Sequence, residues 1–452
     1  MLKLTKAHVW KYKSIEDSSQ VEIAPDVTVL VGKNESGKTA FLEALHKSLA
    51  LSGASFDPVF DYPKKDYIRY RPQHDAKTYA KVVELTFALS SDIVQQINNE
   101  VFGGASVIPA DHSFTRTTNY GNGNSIGLII DNVAALTALK KPLAAVENAD
   151  EVFDGASDLS EVLERIEAKQ LPADSSLSRF AEEWRTRIAK MTQGWDLINW
   201  HIWDTYLSGA LPRFLYFDDY RMLEGKINLE GLNQRNANKQ LKEHDETALG
   251  LFELAGITLQ ELMGEEGYET SRAKLEAIGL TITQQVFEYW KQNQDQPGTP
   301  TLAVEFDVKA DPKDQPPFNS GKNLYIRVKN LRHGVTVPFD QRSKGFIWFF
   351  SFMVWFSAIE NRLGTNKAVA LLLDEPGLSL HALAQKDFLA FIDFLSHSRQ
   401  ILYTTHSPFM VEGDHLDRVR VVEDLPKAGS LVTSELQRSG EDSLFPLQAA
   451  LV

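Results

Sequence analysis

The 452-residue sequence contains no cysteine. That excludes a disulfide framework, a cysteine-ligated zinc site and a catalytic thiol, and it fits a cytoplasmic protein. Long hydrophobic runs are also missing. The most apolar stretch, Phe346 to Ile359, is broken by Ser351 and Ser357 and is shorter than the roughly 20 apolar residues that span a bilayer. It reads as a helix buried in a protein core. The opening residues Met1-Leu2-Lys3-Leu4-Thr5 hold no apolar signal core, so no membrane partner is expected. Positive charge is scarce too. The net charge of −14 argues against a broad DNA-coating surface and leaves room only for a local basic groove. Lys64, Lys65, Arg69 and Arg71, interleaved with Tyr62, Tyr67 and Tyr70, form one such cluster. It is either a nucleic-acid contact or, more plainly, a solvated loop with tyrosines packed beneath it.

Apolar residues are ample at 43%, and the length suggests two or three domains. Their pattern changes along the chain. Near the N-terminus, Val27 to Val31 is a continuous apolar run, as in a strand buried on both faces. From Lys38 to about Ala50, Phe41, Leu42, Leu45 and Leu49 recur at helical spacing. Residues 150–294 are mostly helical and charge-rich, interrupted by one apolar strand, Phe214 to Phe217. In residues 295–452, strand patterns return at Leu302 to Val308, Leu324 to Val328, Val369 to Leu373 and Ile401 to Thr405. The expectation is an α/β fold. One ATPase-type domain is assembled from residues 1–149 and 295–452, with a largely helical insertion at 150–294 between them.

Four motifs carry chemistry. Gly32-Lys33-Asn34-Glu35-Ser36-Gly37-Lys38-Thr39 fits G-x-x-x-x-G-K-[ST] in full, with an apolar strand before it and an amphipathic helix after it. Gly32 and Gly37 let the backbone wrap phosphate. The loop N–H groups of Asn34, Glu35 and Ser36 and the helix N-terminus supply partial positive charge. Lys38 is placed to neutralise β- and γ-phosphates, and the Thr39 hydroxyl to bind Mg²⁺. In Leu371-Leu372-Leu373-Asp374-Glu375-Pro376 two acids end an apolar strand, where open α/β sheets bind ligands. Asp374 suits Mg²⁺, and Glu375 suits a general base for the attacking water. His406, after the strand ending Thr404-Thr405, is spaced to meet the γ-phosphate region. Ser343 is a helix N-cap by its position, and with Lys344 and Gly345 its helix start can also bind phosphate.

Taken in order, these motifs resemble the Walker A, signature, Walker B and switch-histidine set of ABC-type ATPases, within the branch of RecF, SMC and Rad50. Within it, the chain resembles the ATPase portion of the OLD (overcoming lysogenization defect) nucleases. The resemblance rests on Val29 to Thr39, Arg342 to Phe346, Asp374 to His381 and Thr404 to Phe409. It implies ATP and Mg²⁺ as cofactors and a homodimer with composite ATP sites, in which the signature of one chain meets the γ-phosphate held by the other. It further implies a link to DNA, in anti-phage defence or repair. Ser379-Leu380-His381 falls at the loop that meets the partner, and Lys13, after Trp10 and Tyr12, falls at an aromatic–basic pair near the nucleotide base. The signature departs from the transporter form, with Ser343-Lys344-Gly345-Phe346 in place of S-G-G-Q.

Relatives of this kind carry a Toprim nuclease domain, whose metal site needs a D-x-D pair. This sequence contains no D-x-D, so no nuclease activity is expected from the chain alone. Its last residues, Ser443 to Val452, resemble the junction where Toprim begins, so the effector is either a Toprim domain or a separate protein. Two other readings compete: an energising subunit of a membrane transporter, and a nucleotide-gated scaffold with little turnover. The degenerate signature and the long insertion speak against the first. Asp218-Asp219 reads as a strand-end turn sooner than as a metal site.

Overall fold

The computed structural model describes residues 2–51, 53–264, 268–287, 301–364, 368–378, 380–426 and 428–434. Fifteen strands are described: β1 (Lys3–Tyr12), β2 (Ile15–Glu22), β3 (Val27–Val31), β4 (Lys81–Ala88), β5 (Ser113–Asn119), β6 (Asn124–Gly127), β7 (Arg213–Phe217), β8 (Lys226–Asn228), β9 (Leu302–Lys309), β10 (Asn323–Asn330), β11 (Val335–Pro338), β12 (Val369–Leu373), β13 (Gln400–Thr405), β14 (Val419–Leu425) and β15 (Gly429–Thr433). Eleven of them form one sheet in the order β6-β5-β4-β1-β2-β15-β14-β3-β13-β12-β7. From β14 through β7 the neighbours run parallel, and from β15 to β6 they run antiparallel. A second, antiparallel sheet joins β8, β9, β10 and β11. This is an α/β architecture, with strands from both ends of the chain side by side in one sheet.

The parallel strands are apolar on both sides because helices cover both faces. Side chains alternate across a strand. Leu30, Leu372 and Leu402 therefore enter one core with the helix Lys38–Leu49, and Val29, Leu371 and Tyr403 enter the other with the helix Lys344–Leu363. Burying Phe41, Leu42, Leu45 and Leu49 of the first helix stabilises its seat by about 1.5–3 kcal/mol per side chain. The Lys344–Leu363 helix carries an aromatic cluster in which Trp348, Phe352 and Trp355 surround Phe217 at the end of β7, with ring centroids 5.1–5.3 Å away. The stretch that sequence marked as too short for a membrane is thus a core helix. Among the described residues no helix is long and apolar enough to cross a bilayer.

The 150–294 stretch is not one helical unit. Its apolar strand is β7, which pairs with β12 along its full length and divides the stretch in two. Helices before it, Leu159–Ala168 and Ser176–Arg187, join the core of the N-terminal strands. They start where Asp158 and Ser175 accept hydrogen bonds from Glu161 N and Ser178 N, caps worth about 1 kcal/mol each. Helices after it, Leu229–Ala237, Glu243–Leu254 and Tyr268–Phe287, join the opposite core with the second sheet. Helical periodicity located these elements but could not show that a strand between them belongs to a sheet built elsewhere in the sequence.

Candidate nucleotide site

The glycine loop lies between β3 and the helix Lys38–Leu49. A Cβ on Gly32 would sit 2.3 Å from Val422 O, and one on Gly37, whose φ is +103°, 2.2 Å from Ser430 Oγ. Only glycine fits at either position, because the loop is pressed against β14 and β15. Asn34, Glu35 and Thr39 are exposed. Ser36 Oγ is buried without a hydrogen-bond partner, an unmet donor that a phosphate oxygen would satisfy. Lys38 is 5% exposed. Its Nζ donates to Gly32 O at 2.9 Å and Lys33 O at 2.8 Å, and lies 3.3 Å from Glu375 Oε1.

The structure brings the predicted acids to this loop. Thr39 Oγ1 donates to Asp374 at 3.0 and 2.9 Å from its two oxygens. A hydroxyl facing a carboxylate is a hard-oxygen pair suited to Mg²⁺, which typically takes one or two protein ligands and fills its other positions with phosphate and water. Among the described residues no group of three or more His, Cys, Asp or Glu side chains could hold a metal ion. Burial pushes the Asp374 carboxyl up from its usual range against the opposing hydrogen bonds from Thr404 and Thr39, with the Glu375 charge adding to the rise. A cation would reverse that balance. Glu375 is held at φ +46°, a left-handed conformation costly for a side-chain-bearing residue and found disproportionately at functional sites. Its Oε2 accepts from His406 N at 3.2 Å, and His406 Nδ1 stands 3.0 Å away without the alignment of a hydrogen bond.

Sequence reasoning missed two contributors, Thr404 and Gln385, and set a third aside, the Asp218-Asp219 pair. Thr404, fully buried, donates to Asp374 Oδ1 at 2.7 Å and accepts from Glu375 N at 2.7 Å. One hydroxyl thus fixes both acids. Gln385, 4% exposed, donates to Gly377 O and accepts from Ser407 Oγ, each at 2.8 Å. It ties the loop after Glu375 to the loop after His406. Asp218 and Asp219 follow β7, next to the strand bearing Asp374. Asp218 accepts from Tyr220 N, as a turn residue does, yet burial, with the Glu243 charge, pushes its carboxyl up to about 6. A carboxylate pair ending the strand beside Asp374 was the available signal.

Ser343 Oγ accepts from Phe346 N at 3.3 Å and caps the Lys344–Leu363 helix. Ser343 and Lys344 are exposed, Gly345 is buried, and the Arg342 guanidinium lies 5.1 Å from the Phe346 ring centroid. This helix and the glycine-loop helix pack on opposite faces of the sheet. The aromatic–basic pair differs from expectation. Tyr12 is fully buried and cannot stack on a base, Trp10 stacks on His8 at 3.7 Å, and Lys13 pairs with Glu43. Of the loop expected to meet a partner, Leu380 and His381 are described and Ser379 lies outside the described residues, as does the Ser443 to Val452 segment.

Thr404→Val keeps the shape of the buried side chain, removes the donor to Asp374 and leaves Glu375 N–H unsatisfied, a loss of about 1–3 kcal/mol. We expect ATP turnover to fall roughly tenfold or more, through displacement of the acids, with Thr404→Ser retaining most of it. A steady-state assay across Mg²⁺ concentrations checks this. A positioning role moves kcat and the Mg²⁺ requirement while KM for ATP stays near wild type.

Two segments match known domain families. Residues 215–411 match the family described as AAA ATPase domain, and residues 8–192 match one described as AAA domain. Both descriptions name an ATPase-type domain, in keeping with the phosphate loop and the acids described above. An uncharacterised protein of Methanocaldococcus jannaschii is 32% identical over 126 residues, 27% of this chain and 32% of that protein. The match thus spans about a third of that curated relative. Among solved structures, the Smc head domain with an extended coiled coil bound to the C-terminal domain of ScpA, derived from Pyrococcus furiosus, is similar with a TM-score of 0.38 at 15% identity, over 96% of each chain. The SMC head domain from Thermotoga maritima is similar with a TM-score of 0.35 at 10% identity, over 95% of this chain and 98% of that one.

Proposed function

We propose that this chain is a Mg²⁺-dependent ATPase that acts as a head-to-tail homodimer and whose closure on ATP controls a DNA-directed effector, as in the ATPase portion of the OLD nucleases. The observation that carries this reading is the pairing of a complete P-loop, Asp374, Glu375 and His406 constellation on one chain with an exposed Ser343–Lys344 helix start. The glycine-loop and signature helices occupy opposite faces of one sheet. A second copy turned head to tail brings Ser343 and Lys344 onto the phosphates held by Lys38. In the bound state Lys38 exchanges its carbonyl partners for phosphate oxygens, Thr39 and Asp374 hold Mg²⁺, and Glu375 takes the proton from the attacking water. The magnesium ion supplies charge neutralisation along the phosphate chain. Cleavage of DNA is assigned to a Toprim domain or a separate effector protein, since the chain has no D-x-D pair. The helices of 150–294 add a contact between copies that does not need nucleotide.

Turnover measured with and without DNA tests the reading. ATP hydrolysis is expected with Mg²⁺ and is expected to rise with DNA. Turnover unmoved by DNA removes the DNA link, and ATP bound without turnover makes the chain a nucleotide-gated scaffold. Sedimentation of nucleotide-free protein as a monomer at micromolar concentration removes the helical contact.

A further inference from the structure

The basic cluster noted in the sequence divides, in the structure, into an inner and an outer layer. The inner layer is aromatic. Tyr62 and Tyr70 stack with centroids 4.2 Å apart and planes 8° from parallel, both pack on Tyr120, and Tyr70 Oη accepts from Ala80 N at 3.0 Å. These tyrosines serve as the floor of the segment. What faces outward is different. Phe60, on the short helix Pro58–Asp61, is 72% exposed, and Ile68, on the helix Lys64–Asp75, is 81% exposed. Lys64 Nζ stands 5.7 Å from the Phe60 ring centroid, and Lys64, Lys65, Arg69 and Arg71 are all exposed. Lys64, Ile68 and Arg71 follow one another at helical spacing along one stripe. Of the acids nearby, Asp66 pairs with Lys11, Glu16 with both Lys11 and Lys65, and the exposed Asp75 with Arg71. In a chain of net charge −14 this face carries a local excess of cations around two bare apolar tips.

The platform is tied to the far end of the helix that follows the glycine loop. Asp61, 2% exposed, receives Lys47 Nζ on both oxygens at 2.7 Å and Asp57 N at 2.9 Å, and its carbonyl accepts from Lys13 N at 2.6 Å. Lys47 lies in the last turn of the glycine-loop helix.

We propose that this outward face docks a single strand of nucleic acid, with Phe60 stacking on a base and Lys64, Lys65, Arg69 and Arg71 following the phosphates. Charge complementarity selects a polyanion. The bare phenyl ring selects an unpaired strand, because base faces reward stacking and a closed duplex hides them. An anionic bilayer favours a helix whose apolar and cationic residues lie on separate faces, whereas here Lys64 and Arg71 share the stripe with Ile68. The inference rests on the DNA-linked reading above and adds the strand type, the surface and its route to the P-loop through Asp61 and Lys47.

Fluorescence anisotropy of a labelled, mixed-sequence single-stranded DNA, between about 50 and 200 mM salt, tests it. Phe60→Ala is expected to weaken binding about tenfold, one stacked base being worth that much. The double variant Arg69→Ala with Arg71→Ala is expected to reduce the slope of log affinity against log salt by about 1.4, two phosphate contacts for a single strand. Both variants keep ATP turnover without DNA, which also reports folding, and both lose its stimulation by single strands. Equal binding by wild type and both variants overturns the surface and leaves the DNA-linked reading standing. No binding of DNA by wild type removes both. Preference for a duplex, unmoved by Phe60→Ala, or binding to phosphatidylserine vesicles that Phe60→Ala abolishes while DNA binding persists, also overturns the proposal.

Discussion

Glu375→Gln is expected to bind ATP, hydrolyse it about 10²–10⁴-fold more slowly than wild type, the range for losing a general base, and accumulate as the ATP-bound dimer. The substitution preserves the side chain's size and leaves an amide oxygen to accept from His406 N. It also preserves the fixed backbone, with φ +46° at residue 375 and N–H directed to Thr404 Oγ1. What is lost is the negative oxygen 3.3 Å from Lys38 Nζ, the atom placed to take a proton beside the phosphates. Lys38→Ala should differ in kind, because it removes the phosphate cation and so weakens binding itself. Single-turnover hydrolysis together with nucleotide-dependent sizing separates the two. Wild-type hydrolysis by Glu375→Gln would reassign the base.

Mixing chains gives the second large effect. Lys38→Ala and Ser343→Ala are each expected to inactivate a homodimer, since each lesion falls in both composite sites. In the mixed dimer one site collects both lesions and the other has neither, so activity should return to as much as about half of wild type if the sites act independently. If hydrolysis needs both sites, less turnover returns, but ATP still occupies the intact one. Heterodimers that form yet recover neither turnover nor ATP binding would leave Ser343 as the helix cap that its 3.3 Å bond to Phe346 N makes it.

The parts of the site legible in the sequence are those whose chemistry is local. Gly32 to Thr39 is a strand–loop–helix unit, and Asp374, Glu375 and His406 each end an apolar strand, so spacing alone located them. Thr404 escaped because its role depends on Asp374, thirty positions away in sequence, and a threonine ending a strand has no distinguishing mark. Tyr12 misled for a related reason: an aromatic beside Lys13 suits a base-stacking role until the fold encloses it completely. The fold class followed from runs such as Val27–Val31 and Val369–Leu373, buried on both faces. The strand order did not, because parallel neighbours such as β7 and β12 are joined by no hairpin and leave no local pairing signal.

The two ends of the large sheet bear on how copies of this protein can stick to one another. An open strand edge offers unpaired N–H and C=O groups to any passing chain and invites aggregation. Here β6 is only four residues long, and β7, at the opposite end, is met by a parallel bridge from Ala50 to Phe214. Short or covered edges make poor templates for strand addition. A concentrated solution of this protein should therefore resist fibre-like self-association through its sheet.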